Sequence, residues 1–226
     1  MKNAPNPPRL DWREGRVPVA TAFDDPYFSL ENGLEETRHV FLSGNALPER
    51  FSDGFHIAEL GFGTGLNLLA TLQLWRASGQ HGRLHYTSFE AFPMRPEEML
   101  RAQAAFPDLA ALSAELAPHW GNKNFEMEDL SFTLVEGDAR GTLAHWQGAA
   151  DAWFLDGFSP AKNPELWEET LMAQVFTHTA PGGTAATYTA AGFVRRGLEA
   201  AGFAVSRAPG YGRKRHMTRA VKGPSE

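Results

Sequence analysis

The chain has 226 residues, of which 42% are hydrophobic and 21% charged, a balance typical of one globular domain with or without an extension. It contains no cysteine, which excludes disulfides, thiol catalysis and cysteine-ligated zinc or iron-sulfur centres. No segment approaches the roughly eighteen consecutive apolar residues of a membrane span, and no apolar run follows Met1 and Lys2, so we expect a cytoplasmic protein with neither membrane insertion nor a signal peptide.

The formal charge of -6 is unevenly distributed along the chain. Residues 190–226 carry a net +6, and residues 1–189 carry a net -12. Clustered Lys and Arg side chains bind a polyanion because they release the counterions condensed on its phosphates. A solvated basic surface explains the same pattern, so the charge alone leaves both interpretations open.

Residues 1–54 are predicted to form an N-terminal β/α extension. A β segment is indicated at residues 17–23, a turn at residues 24–26, and a helix between Leu34 and Leu42. The segment is too short for a separate domain. We therefore expect it to pack on a catalytic domain formed by residues 55–226.

From residue 55 onward, short β-rich runs alternate with longer runs of helical periodicity. The predicted strands are 55–60, 84–90, 132–136, 152–156 and 184–189, and the predicted helices are 65–75, 96–106, 141–146 and 164–176. A further helix and two strands joined through a loop at residues 209–212 complete the chain, the strands as an antiparallel edge hairpin. This order predicts an α/β fold with a doubly wound, mostly parallel seven-stranded sheet.

Ligands of such sheets bind at the carboxyl ends of the strands. The first strand ends in E-L-G-F-G-T-G, with glycines at 61, 63 and 65 that permit a tight turn and a close approach of a ligand. A G-x-G-x-x-G dinucleotide motif would need glycine at position 66, which is Leu66, and no P-loop Gly-Lys follows. The turn instead resembles the first motif of the Rossmann-like class I S-adenosylmethionine-dependent methyltransferases, although a purely structural turn also explains it.

The second and third strands end in carboxylates. Glu90 follows Gly65 by twenty-five residues, where a carboxylate can accept hydrogen bonds from both ribose hydroxyls of an adenosine. Asp138 lies where methyltransferases of this class often hold the adenine amino group. Helix N-caps or solvated loop carboxylates are the alternative for each residue alone, but the pair favours an adenosyl ligand.

The fourth strand leads into D-A-W-F-L-D-G-F-S-P-A-K-N-P-E-L-W (151–167), and with it the chain resembles a specific family. That family is the methyltransferase component of the tRNA wobble-uridine modification enzyme MnmC, also found as stand-alone MnmD-type enzymes. The segments that carry the resemblance are 23–51, 61–67, 88–93, 151–167, 181–184, 189–198 and 210–217.

The resemblance implies transfer of a methyl group from S-adenosylmethionine to the amine of 5-aminomethyl-2-thiouridine at the anticodon wobble position of tRNA. In bifunctional relatives, a following FAD-dependent domain acts on the same side group. The sequence ends about where that domain would begin, so we expect no FAD chemistry in these 226 residues and consider an FAD-dependent oxidoreductase a candidate partner.

Asp156, at the end of the fourth strand, is the predicted catalytic residue. The acceptor amine must lose a proton before it attacks, and Asp156 can act as the base or as the group that orients the amine. Phe158 is predicted to stack on the uracil or face the cationic centre, although it can equally plug the sheet edge. Lys162 is predicted to reach a phosphate or the thiocarbonyl.

Further residues are assigned to the site by the resemblance. Those assigned to the cofactor are Glu59, Gly61, Gly63, Gly65, Asn67, Glu90, Asp138 and Asp156, with Asp25 and Phe28 from the extension. Those assigned to the substrate and tRNA are Phe158, Lys162, Glu36, Arg195, Arg213, Lys214 and Arg215. Tyr27, Asn32 and Gly33 of the extension are assigned, with Asp25, Phe28 and Glu36, to the methionine end of the cofactor or to the amine pocket. Helix capping or packing explains most of these six extension residues equally well.

The last basic cluster is predicted to lie on an antiparallel strand. Alternation would then put Arg213 and Arg215 on one face and Lys214 on the other. The histidines form no recognisable metal site, so no metal is expected. Two rival functions stay open: a methyltransferase that acts on a small-molecule amine, and a non-catalytic protein that binds S-adenosylmethionine or tRNA beside an oxidoreductase.

Overall fold

The computed structural model describes residues 9–29 and 32–224. Predictions that fall on residues 1–8, 30–31 and 225–226, including the absence of a signal peptide and parts of both predicted domains, lie outside the described residues. Within the described ranges, no helix combines the length and apolar character that a membrane crossing requires.

The described residues form eleven strands. They are β1 Leu10–Arg13, β2 Val17–Ala20, β3 Asp25–Pro26, β4 His56–Leu60, β5 Leu84–Glu90, β6 Asn124–Glu126, β7 Leu130–Glu136, β8 Ala150–Leu155, β9 Thr179–Thr187, β10 Ala204–Pro209 and β11 His216–Val221. The first three form a small antiparallel sheet, and the other eight form the main sheet.

The same ranges contain seven α-helices. They are α1 Gly33–Thr37, α2 Leu66–Ala77, α3 Pro96–Gln103, α4 Ala110–Leu116, α5 Ala139–Thr142, α6 Glu169–Thr177 and α7 Gly192–Ala201. A π-helical turn, Arg38–Leu42, continues α1, so the helix predicted between Leu34 and Leu42 is present.

The main sheet has the strand order β10-β11-β9-β8-β4-β5-β7-β6. Its central strands β9, β8, β4, β5 and β7 are parallel, and β10 and β11 form the predicted antiparallel hairpin at one edge. The doubly wound, mostly parallel sheet is therefore confirmed. The structure adds β6, which pairs antiparallel with β7 at the other edge; with only Phe125 buried, it leaves no pattern to recognise.

The hydrophobic core lies in two layers, one on each face of the main sheet, because successive strand side chains point to opposite faces. On β4, Ile57 belongs to one layer together with Leu68 of α2 and Phe41 of the extension. Leu60 belongs to the other layer together with Val194 of α7. Helices therefore cover both faces of the sheet.

Arg101 of α3 contacts the N-terminal strands. The guanidinium carbon of Arg101 lies 3.9 Å from the ring centre of Trp12, and its Nε donates a hydrogen bond of 3.2 Å to the carbonyl of Gly15. The turn predicted at residues 24–26 lies slightly earlier, because residues 25–26 pair with β2 as β3. The pairing of β3 with β2 holds the segment that continues from residue 26 in place.

Two helices differ from the predicted ones. The helix predicted at residues 141–146 begins earlier as α5 and ends as a 3₁₀ turn, Leu143–His145. The helix predicted at 164–176 is divided by Glu168, whose extended backbone separates a 3₁₀ turn from α6. The apolar spacing was present in both cases. Residues 139–145 change from α-helix to 3₁₀ turn without a break, whereas the backbone of Glu168 interrupts the second helix.

The prediction that residues 213–215 lie on the last strand is wrong, because β11 begins at His216. The N–H of Gly210 donates a hydrogen bond of 3.3 Å to the carbonyl of Arg215, which closes residues 210–215 into a compact loop. We call this segment the hairpin loop. Strand alternation does not apply to its basic side chains, which instead project from a turn.

Candidate active site

The carboxyl ends of β8, β4, β5 and β7 lie side by side and open into one cavity of about 1310 Å³. Single small-molecule sites usually occupy about 300 to 1,000 Å³, so this cavity can hold a cofactor and part of a second substrate. Among the predicted residues, those that line it are Asp25, Phe28, Glu36, Gly61, Gly63, Asn67, Glu90, Asp138, Asp156, Phe158, Arg213 and Lys214. Tyr27, Asn32 and Gly33 line it as well.

Gly61 allows the ends of β4 and β8 to approach each other closely. Its φ of +91° is a conformation that side-chain-bearing residues rarely adopt. A Cβ atom at this position would collide with the backbone carbonyl oxygen of Asp156. The N–H of Asp156 also donates a hydrogen bond of 3.1 Å to the carbonyl of Leu60. The glycine turn therefore positions Asp156 as well as the cavity wall.

Glu90 connects the end of β5 to the glycine turn. Its carboxylate accepts hydrogen bonds from the N–H of Gly63 (3.1 Å) and the N–H of Phe92 (2.8 Å). Burial raises the pKa of Glu90, and these backbone hydrogen bonds oppose the rise. The carboxylate is held rigidly at the cavity wall, where it was predicted to lie.

Asp138 is both the N-cap of α5 and a cavity residue. Its carboxylate accepts a hydrogen bond of 3.0 Å from the N–H of Arg140 and pairs with Nη2 of the same arginine at 2.6 Å. This pairing lowers the pKa of Asp138, so the carboxyl group is ionised at neutral pH. Asp138 therefore caps the helix, which was one alternative considered from the sequence, and it also lines the cavity.

A chain of buried polar groups runs behind Asp156. Asn67 donates from Nδ2 to Oδ2 of Asp156 (2.7 Å) and to Oε1 of Glu59 (2.8 Å). The hydroxyl of Ser88 donates to Oε2 of Glu59 at 2.7 Å. Thr37 of α1 donates to Oδ1 of Asn67 at 3.0 Å. Asn67 is therefore fixed on both sides of its amide, and its orientation fixes that of Asp156.

Burial raises the pKa values of both acidic groups in this chain. The pKa of Asp156 is raised to about 7, with the hydrogen bond from Asn67 and the charge of Lys214 acting against the rise. The pKa of Glu59 is raised to about 8, against the hydrogen bonds from Ser88 and Asn67. Both groups therefore keep a proton to a higher pH than exposed carboxyl groups do, and Glu59 keeps it to a higher pH than Asp156.

Replacement of Glu59 by Gln should therefore preserve the fold and flatten the dependence of stability on pH. Because the folded pKa of about 8 lies above the ordinary value of 4.5, the native state binds more protons than the unfolded state between these values. Stability is thus lost as pH rises through this window, and Glu59→Gln removes that loss. Melting temperatures from pH 5 to 8.5 test this; equal slopes for both proteins would contradict it.

The extension forms one wall of the cavity and packs on the loop after β8. The ring of Phe158 stacks on Phe23, with ring centres 4.7 Å apart, and meets Tyr27 edge-on at 5.0 Å. The carboxylate of Asp25 accepts a hydrogen bond of 2.8 Å from the N–H of Ser159. These contacts fix the segment that carries Asp156 against the N-terminal strands.

A second group of charged residues lines the same cavity. The ammonium of Lys214, on the hairpin loop, lies 2.5 Å from Oε1 of Glu36 and 4.2 Å from the ring centre of Tyr188. The hydroxyl of Tyr188 donates a hydrogen bond of 2.7 Å to the carbonyl of Gly157. The cavity therefore already holds one alkylammonium group beside a carboxylate and an aromatic ring.

Five predicted residues do not line the cavity. Glu59 is fully buried behind Asn67, and Gly65 supports the start of α2. The ammonium of Lys162 pairs with the carboxylates of Asp24 and Asp25, each at 3.6 Å. Arg195 lies on α7, and Arg215 is exposed on the far part of the hairpin loop.

The structure also brings in residues that the sequence did not reveal. Tyr188 follows the end of β9, so extending the strand-end rule to the fifth strand would have found it. Arg13 and Arg140 join Arg213 as exposed basic residues among those that line the cavity, and they come from three separate elements. No sequence pattern links them. In residues 9–29 and 32–224, no group of three or more His, Asp or Glu side chains is arranged to hold a metal ion.

Comparisons with known proteins identify the family of this chain. The family described as S-adenosyl-L-methionine-dependent methyltransferase matches residues 108–223. The chain is 48% identical to the tRNA 5-methylaminomethyl-2-thiouridine biosynthesis bifunctional protein MnmC of Caulobacter sp. (strain K31), over 94% of this chain and 38% of that protein. It is 47% identical to the protein of the same name from Hahella chejuensis (strain KCTC 2396), over 92% of this chain and 36% of that protein. The chain thus spans little more than a third of the length of these curated relatives.

A crystal structure of MNMC2 from Aquifex aeolicus has the same fold. The two chains superpose with a TM-score of 0.76 at 28% sequence identity, over 98% of this chain and 73% of that chain. The resemblance inferred from the sequence motifs is therefore confirmed. Because the matched family covers more than half of the 226 residues, the chain belongs to the S-adenosyl-L-methionine-dependent methyltransferases.

Proposed function

We propose that this chain transfers a methyl group from S-adenosylmethionine to the primary amine of 5-aminomethyl-2-thiouridine at the tRNA wobble position, giving 5-methylaminomethyl-2-thiouridine. The observation that carries this proposal is the position of Asp156, which follows β8, lines a cavity of about 1310 Å³ and accepts a hydrogen bond of 2.7 Å from Asn67. Burial raises the pKa of Asp156 to about 7, which suits a base. The names of the relatives, which refer to the biosynthesis of this nucleoside, support the same reaction.

The residues at the carboxyl edge of the sheet fit the cofactor. Gly61 and Gly63 both have positive φ and leave the backbone of the turn open to a ligand, since neither presents a side chain to the cavity. Glu90 would hold the ribose hydroxyls, and Asp138 the adenine amino group. When bound, S-adenosylmethionine supplies an electrophilic methyl group on its sulfonium.

Asp156 would remove the proton of the acceptor. A primary alkylammonium has no lone pair, so the amine must be deprotonated and held in line before it attacks. A base is most effective when its pKa lies near the working pH, as that of Asp156 does. Asn67 engages only Oδ2 of Asp156, and no other described side chain donates to Oδ1. That oxygen would accept the proton.

The tRNA would contact the rim and aromatic wall of the cavity. Exposed Arg13, Arg140 and Arg213 surround the site and would neutralise phosphates of the anticodon loop. Phe158, supported by Phe23 on one of its sides, would form the surface on which the extruded uracil stacks.

Charge reversal at the rim should weaken tRNA binding and its dependence on salt. Arg13→Glu and Arg213→Glu should each reduce the slope of log affinity against log salt by roughly one unit, because each removes a phosphate contact. Arg207→Glu is the matched control, since Arg207 is exposed on β10 but does not line the cavity. Equal effects of all three variants in a salt titration would place the phosphate contacts elsewhere.

Methyl transfer from labelled S-adenosylmethionine tests the function itself. We expect label in tRNA that bears 5-aminomethyl-2-thiouridine, but none in unmodified tRNA or free polyamines. Label in the polyamines and not in tRNA would assign the chain to small-amine methylation. Cofactor binding without any transfer would assign it to the non-catalytic class.

The organisation around this activity is also proposed. We assign residues 1–54 as an extension that completes the site of a catalytic domain at residues 55–226, because its side chains line the cavity. A flavin-dependent oxidoreductase that acts on the same uridine remains the proposed partner. The cytoplasmic location and the absence of FAD chemistry stay predictions.

A further inference from the structure

The ion pair between Lys214 and Glu36 has an unusual position. Both side chains line the cavity that holds Asp156, and they come from the hairpin loop and from α1, which are 178 residues apart in sequence. The ammonium is 2.5 Å from the carboxylate and 4.2 Å from the ring centre of Tyr188. A carboxylate and an aromatic face together form a typical subsite for an organic cation.

The group that occupies this subsite has the chemistry of the acceptor. A lysine side chain ends in a primary alkylammonium on a CH₂ group, and so does a protonated 5-aminomethyl substituent. The charges of both Glu36 and Lys214 act on Asp156, so the subsite is electrostatically connected to the predicted base. A second alkylammonium could not fit favourably there while the first remains, because like charges repel.

We propose that Glu36 and Tyr188 form the subsite that first binds the ammonium group of the acceptor, and that Lys214 occupies this subsite until the acceptor displaces it. The inference rests on the proposed function and makes it more specific. Glu36 and Tyr188 would bind the substrate ammonium, Lys214 would compete with it, and Asp156 would perform the proton transfer. The hairpin loop thus holds an internal competitor for the substrate amine.

The geometry of Lys214 suits such an exchange. Its side chain is 44% exposed, so it can swing into solvent while its backbone stays in the loop. Because solvent and salt reach the ammonium of Lys214, they screen its pairing with Glu36 and weaken it. The carboxylate of Glu36 is only 17% exposed, so it stays in the cavity to meet the incoming amine.

Methylammonium chloride is a direct probe of the subsite. If Lys214 occupies it about nine-tenths of the time, Lys214→Met should bind methylammonium about tenfold more tightly than the unmodified protein does. Thermal shift, measured against sodium chloride of equal ionic strength, gives the midpoint concentrations without tRNA. Arg215→Met is the matched control on the same loop, and its midpoint should not change.

A double variant locates the binding site. Glu36→Gln combined with Lys214→Met should lose the gain, because the carboxylate that attracts the cation is gone. Equal midpoints for Lys214→Met and the unmodified protein, or retained tight binding in the double variant, would overturn the proposal. Unchanged binding of S-adenosylhomocysteine by each variant confirms that the cavity is intact.

Kinetics separate the competitor role from a direct contact with tRNA. As a competitor, Lys214→Met should lower KM for the modified tRNA about threefold or more with kcat changed less, because the substrate no longer displaces a side chain. A raised KM would make Lys214 a tRNA contact and overturn the proposal. If the unmodified protein does not methylate tRNA, the proposed function fails, but the methylammonium result still decides whether the subsite exists.

Discussion

Asp156→Asn should lower kcat for methyl transfer by about 10²- to 10⁴-fold, the range that a positioned acid or base contributes. The variant keeps an oxygen that can accept the 2.7 Å hydrogen bond from Asn67, so its cavity should bind S-adenosylhomocysteine normally. The unmodified protein should lose kcat/KM as pH falls below about 7, because Asp156 becomes protonated. The variant should lack this acidic limb.

Stability measurements provide an independent check on Asp156. Its folded pKa of about 7 lies above the ordinary 3.8, so the native state binds more protons between these values and becomes less stable as pH rises. Asp156→Asn should consequently melt no lower than the unmodified protein at pH 8. Asp108→Asn, on an exposed turn outside the cavity, is the control for loss of a carboxylate. Near-normal turnover in Asp156→Asn would remove Asp156 from the mechanism.

Gly61→Ala should both destabilise the fold and disrupt the site. The added Cβ would collide with the carbonyl oxygen of Asp156, and the residue would be held at a φ of +91°. Left-handed backbone costs about 1–2 kcal/mol, and overpacking adds about 1–3 kcal/mol. Because β4 and β8 must separate, Asp156 moves, and a displacement of about 1 Å can lower the rate roughly 100-fold.

Gly79→Ala separates the two effects in Gly61→Ala. Gly79 also has a positive φ, +70°, but no atom lies within 4 Å of the position of its added Cβ. It should show only the backbone cost of about 1–2 kcal/mol and keep full activity. Denaturant unfolding and cofactor binding measure both variants. Equal losses would mean that the contact with Asp156 has no role.

Strand-end carboxylates were predictable from the sequence because local patterns encode them. Each of Glu90, Asp138 and Asp156 lies at or just after the end of a β-rich run, and adjacent parallel strands bring such ends to one edge. The glycine turn was recognisable for the same reason. Thus the part of the site built on the sheet follows from element order.

The walls contributed by loops could not be predicted in this way. Lys162 belongs to a conspicuous motif, yet its ammonium pairs with Asp24 and Asp25, because the extension folds across the loop. Lys214 and Glu36 are 178 residues apart in sequence, and only the tertiary fold brings them together as an ion pair. From the sequence, residues 213–215 were predicted to form part of a strand, and strand alternation was used to place the side chain of Lys214. In the structure, these residues belong to a six-residue loop, and the loop orients that side chain.

The shared core of the extension and the sheet has a consequence for cooperativity. Val17, Phe28, Leu34 and Phe41 belong to the same buried cluster as Ile57 of the central strand. The N-terminal segment therefore cannot unfold without exposing apolar surface at the centre of the molecule, so both parts should melt in one transition. Heat that unfolds the described part of this segment would at the same moment dismantle the pocket, which makes catalytic competence an all-or-none property of the chain.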